Sequence, residues 1–89
     1  MGKRAVWKYE VGPLAETEFE IPKDATILRV GNQGGLGCIW MLVDTTQPKV
    51  KRKFVSVGTG QKFDNTGLNY IGTWENGPFV WHLFEVMSK

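Results

Sequence analysis

A period of two recurs along this chain in short runs, and no run keeps the spacing a helix needs. In "RAVWKYEV", residues 4–11, Ala5, Trp7, Tyr9 and Val11 alternate with Arg4, Lys8 and Glu10, the pattern of a strand with one face buried and one wet. "GP" at 12 and 13 ends it. "ETEFEI", 16–21, alternates charge with Thr17, Phe19 and Ile21 and stops at Pro22, which has no N–H for a ladder. It reads as a solvated outer strand. "ATILRV", 25–30, leads into "GNQGGLG", 31–37, whose glycines supply the positive φ of a hairpin end. Further runs at 38–44, 49–57, 68–74 and 79–86 are separated by "TTQP", "QKFDNTG" and "ENGP". About seven short strands at this spacing predict one all-β domain over 1–89, an antiparallel meander closed into a small barrel or a two-layer sandwich.

Two of the runs break the simple alternation. "CIWMLVD" and "FVWHLFEV" are apolar on both faces, so one face of each needs cover from barrel closure, a crossing loop or a second subunit. Ile39, Met41, Val80 and Phe84 are the interface candidates, and a homo-oligomer is expected. In "KVKRKFVSV", Lys49, Lys51 and Lys53 share one side, and Val50, Arg52 and Phe54 the other. Val55 and Val57 then fall on the lysine side, and this switch predicts a bulge or sharp twist within 54–58.

Composition narrows the setting. Four Trp, five Phe and two Tyr in 89 residues supply one modest core, which a disordered chain would lack. A single cysteine, Cys38, excludes an intramolecular disulfide and points to a reducing compartment. Neither a signal-peptide run nor a stretch of the ~20 apolar residues a spanning helix needs is present, so a soluble intracellular protein is expected. The net charge of +2 falls short of the basic excess of a chain that binds mainly through phosphates.

The candidates for chemistry are few. "GNQGGLG" lacks the G-x-G-x-x-G order, and "GTGQ" lacks the Lys-Ser/Thr and the helix of a phosphate loop. Gly58, Thr59 and Gly60 are left as a strand bend packed around Trp40 or Trp74, or as an anion nest of backbone amides. His82 is the only histidine; without a Cys or carboxylate cluster it implies no metal, and it is either a hydrogen-bonded strand residue or a ligand contact. Cys38 is expected as a small buried hydrophobe. No acid–base pair stands out, so an enzyme is the poorest class, and no cofactor is implied. Lys49, Lys51, Arg52 and Lys53 form either a solvated edge or a patch for phosphate or an acidic partner. Trp40, Tyr70, Trp74 and Trp81 beside them are either core or platforms for stacked bases.

"VWKYE", "CIWMLVD", "VGTG" and "YIGTWENGPFVWHLFE" together resemble a family of short proteins of tailed bacteriophages and their bacterial hosts. Its members look like "IWKY…IWALVD…GTG…YIGT…VFHLFE", a likeness that covers roughly residues 6–85. The family brings no catalytic residues to transfer. It implies a phage accessory protein in the bacterial cytoplasm, acting by binding, and three roles fit. One is counter-defence, by engaging a host protein or sequestering a phosphorylated nucleotide signal through Lys49–Lys53, the Gly58–Gly60 bend and aromatic faces. The others are a single-stranded nucleic-acid-binding module and a structural or assembly subunit.

Overall fold

The computed structural model describes residues 2–13 and 16–87. Its seven strands are β1 (Arg4–Val11), β2 (Glu16–Pro22), β3 (Thr26–Gln33), β4 (Leu36–Asp44), β5 (Lys49–Gly58), β6 (Leu68–Asn76) and β7 (Phe79–Val86). They form two antiparallel sheets, ordered β1-β4-β3 and β2-β5-β7-β6, and so a two-layer sandwich. No helix among the described residues is long and apolar enough to cross a membrane.

The chain is not a meander. Consecutive strands pair only at β3-β4 and β6-β7, where Gly34, Gly35 and Gly77 hold the positive φ that tight hairpins need. Between β1 and β2, β2 and β3, and β4 and β5 the chain changes sheet, whereas from β5 to β6 it stays in one sheet and leaves the place between them to β7. After β2 it turns through Asp24, at φ 67, and the Lys23 amide donates to the Pro48 carbonyl, which ties this corner to the start of β5.

Alternation then decides the core. In β4, Ile39, Met41 and Val43 face inward and are fully buried, opposite Tyr9, Trp7 and Ala5 of β1. Ile21, Phe54, Trp74 and Leu83 meet them from the second sheet, and the rings of Tyr9, Phe19 and Phe54 step across at 5.2 and 6.1 Å. Ile39 and Met41 are therefore core residues of a single chain, not surface residues available to a subunit. At one flank the sheets come very close: a Cβ on Gly72 would stand 2.6 Å from Val30 Cβ, and on Gly37 it would enter the Trp74 indole.

The bulge expected within 54–58 is not there. β5 runs in unbroken register from Glu16↔Val55 to Pro22↔Lys49 and from Lys53↔Val86 to Gly58↔Trp81. Val55 and Val57 face outward beside Phe84 and His82 of β7, so their apolar character reflects cover over that face and not a kink. Bulges occur instead in β3, between Ile27 and Arg29, and in β6, between Tyr70 and Gly72.

Candidate functional site

The inward parity of Arg52 removes it from the basic surface. Its guanidinium donates to both carboxylate oxygens of Glu85, at 2.6 and 2.8 Å, and to the Ala25 carbonyl at 2.9 Å. The hydrogen bonds to Glu85 push the Arg52 pKa up, so the charge is permanent. This mostly buried pair joins β5 to β7 within the sandwich.

The lysines lie on the outer face, where β2 answers them. Glu20 is directly opposite Lys51 and Glu18 opposite Lys53, and Lys53 Nζ lies 3.8 Å from a Glu16 carboxylate oxygen. Lys49 Nζ sits 5.9 Å from the centre of the Trp7 ring. Facing opposite charges on a sheet stabilise the strand pair. The acidic outer strand and the basic run, separate in sequence, form one mixed-charge surface.

The Gly58–Gly60 bend is held by its own chain. Gly58 N–H donates to Gln61 Oε1 at 3.0 Å, and Thr59 N–H to the Val80 carbonyl at 3.2 Å. A Cβ on Gly58 would stand 3.0 Å from the Trp81 ring, so the tryptophan behind the bend is Trp81, not Trp40 or Trp74. A Cβ on Gly60, at φ 89, would meet nothing within 4 Å.

Thr59 and His82, which no sequence spacing links, meet here. Thr59 Oγ1 is 2.7 Å from His82 Nε2; His82 Nδ1 is 3.2 Å from Thr73 Oγ1, which also bonds to the Tyr70 hydroxyl. The first pair has the spacing of a nucleophile and its base. Behind the imidazole, however, stands an alcohol, which can orient the ring but cannot stabilise an imidazolium as a carboxylate does. What the array does is fasten the segment after β5 to the outer face of β6 and β7.

Beside Thr59 lies a cavity of about 280 Å³ lined by Gly58, Thr59, Pro78, Phe79, Val80 and Trp81. Its aromatic wall is the end of a ring stack. Trp74 and Trp81 lie 6.0 Å apart at 31°, and Trp81 and Phe79 6.4 Å apart at 24°. Trp74 is buried, whereas Phe79, the outermost ring, is 61% exposed. Phe79 opens β7 with the inward parity of Trp81, yet its ring is left open to solvent. A lone phenylalanine after "ENGP" carries no sequence signal of that exposure.

The remaining candidates are placed as follows. Val80 and Phe84 face outward on β7, half-buried, with Phe84 between the rings of Phe63 and Tyr70 at 5.3 and 5.6 Å. Trp40 is half-buried under Arg29, 5.7 Å away. Cys38 is fully buried, and burial pushes its thiol pKa up, which keeps it protonated and unreactive. Trp74 Nε1 and Ser56 Oγ are buried without a partner, but neither residue lines the cavity. Among the described residues, no three His, Cys, Asp or Glu side chains converge as a metal site requires.

Fold and site together define a small antiparallel β-sandwich with one aromatic-walled pocket at a sheet end. Residues 2–89 match the family model described as Domain of unknown function (DUF7352), and the chain belongs to that family. No curated protein and no solved structure matches it.

Proposed function

We propose that this domain works by binding and not by turnover, as a phage-type accessory protein in the cytoplasm of a bacterial host. In this reading it counters host defence by engaging a host protein, whose apolar or aromatic side chain enters the pocket between Phe79–Trp81 and Gly58–Thr59. The observation that carries the reading is Phe79, a large ring left 61% exposed beside an open cavity. Exposed aromatic residues at pockets are the anchors from which protein interfaces draw most of their energy. The viral setting rests on the motif resemblance.

A protein target is favoured over a phosphorylated nucleotide for an electrostatic reason. Lys51 and Lys53 face Glu20 and Glu18, and the amides of Gly58 and Thr59 already donate within the chain. Little uncompensated positive charge is left for phosphate. Single-stranded nucleic acid is the second reading, since the open face of Phe79 would also accept a base.

Capture from infected-host lysate with the wild-type chain and Phe79→Ala in parallel tests this. A host protein held by the wild type and lost with Phe79→Ala supports it. Equal retention by both, or retention only of oligonucleotides that salt releases, overturns it in favour of another surface or of nucleic acid.

A further inference from the structure

We propose that the free edge of β1 pairs antiparallel with β1 of a second copy of this chain, around a two-fold axis at Trp7. Four strands border the two sheets, and unprotected edges recruit other strands. β2 carries Pro22 and three glutamates, Glu16, Glu18 and Glu20, while β3 and β6 are interrupted by bulges. These are the standard devices against edge pairing. The Val30–Gly72 contact also closes the flank that β3 and β6 share.

β1 has no proline and no bulge, and its charges, Arg4, Lys8 and Glu10, are of both signs where those of β2 are all negative. It pairs with β4 without a shift from Arg4↔Asp44 to Val11↔Gly37 and contains neither glycine nor proline. Val6 is 56% exposed and Trp7 36%. Lys8, the lysine of this edge, is drawn across its own sheet to Gln33 and toward Glu10.

Charge selects the partner and the register. A two-fold axis perpendicular to the sheet pairs residues on the same face, so it must pass through a residue and not between two. With the axis at Trp7, Arg4 meets Glu10 twice and Val6 meets Lys8 twice, with no like charges opposed. An axis at Val6 would set Arg4 against Lys8, and one at Lys8 would set Lys8 against itself, both destabilising. β1 is thus complementary to itself in one central register. Pro22 and the glutamates of β2 confine the junction to the three-stranded sheet.

Position 6 tests the register, because each axis gives it a different neighbour. The measurement is sedimentation equilibrium of the 10.0 kDa chain over a wide concentration range, with circular dichroism confirming that these exposed-site variants fold. The wild type is expected to dimerise. Val6→Lys, which then faces Lys8 twice, should raise the dimer dissociation constant by about 2- to 30-fold, and Val6→Glu should lower it by a similar factor. A wild type that keeps the single-chain mass up to millimolar concentration overturns the proposal. So does weakening by both variants, the result for an axis at Val6, or tightening by Val6→Lys, the result for an axis at Lys8.

Discussion

β4 and β7 are both apolar on two faces, yet they hide the outward face by different means. β7 is covered by its own chain: the segment from Thr59 to Gly67 lays Phe63 on Phe84, bonds Thr59 to His82, and accepts the Met87 amide at the Gly67 carbonyl. β4 is covered by long polar side chains from its neighbours. Arg29 of β3 lies over Trp40, and Lys8 of β1 reaches Gln33 of β3 across β4 at the level of Cys38. Aliphatic stems shield apolar surface while their charged heads stay wet. A strand that is apolar on both faces therefore does not by itself specify a subunit interface. The site we propose for a second chain is accordingly a bare edge, not a bare face.

The contrast between the faces of β4 is open to direct attack. Met41→Ala, inward and fully buried, should cost about 3 kcal/mol in denaturant titration. Leu42→Ala, outward and half-buried, should cost less than about 1 kcal/mol. Equal losses would mean that the outer face is as tightly packed as the core. The two kinds of cover can then be compared with each other. Phe63→Ala removes the anchor of the segment over β7 and should cost about 1–2 kcal/mol, with faster hydrogen exchange at the Met87 amide. Arg29→Ala removes an exposed cation–π contact worth about 0.5–1 kcal/mol, without loosening any backbone hydrogen bond.

The smallest expected effect is one of pH, and it has one representative on each side of the comparison. Asp44 at the end of β4 and Asp64 in the segment over β7 are hydrogen-bonded by Thr46 and Thr66, which holds both carboxyls below the ordinary aspartate value of 3.8. Between the lowered and the ordinary value the unfolded chain binds more protons than the folded one. Their contribution is thus complete above the ordinary value and lost as pH falls through the lowered folded values. Asp64 is exposed and Asp44 only half-buried, so the change is slight. In an NMR acid titration, Thr66→Val should move the midpoint of Asp64 upward and leave that of Asp44 in place.

Most of the strand pattern was legible because alternation is a local property. The runs at 4–11 and 79–86 coincide with β1 and β7, and the other strands are longer by one to three residues at an end, except that β3 also starts one residue later, at Thr26, and takes in Gly31–Gln33 of the stretch read as a hairpin end. Pairing was not legible. β3 lies beside β4 and not β2, because the chain changes sheet at the Lys23–Asp24 corner, and nothing local in "PKDA" states which sheet comes next. The same gap hid the candidate site. Thr59 and His82 stood out separately, but their contact depends on the β5-β7 register. The meaning of the basic run likewise changed once β2 brought its glutamates alongside.

The position of β7 has a consequence for how the protein is made. β7, made after the other six strands, is interior to its sheet, inserted between β5 and β6, and it carries Glu85, the partner of Arg52. Until it leaves the ribosome, Arg52 lacks its counter-ion and β5 lacks a neighbour on one side. Pairings this distant in sequence form slowly. The domain is therefore expected to stay unfolded until β7 has emerged, and a ribosome stalled before Phe79 would hold the four-stranded layer incomplete and open to chaperones and proteases.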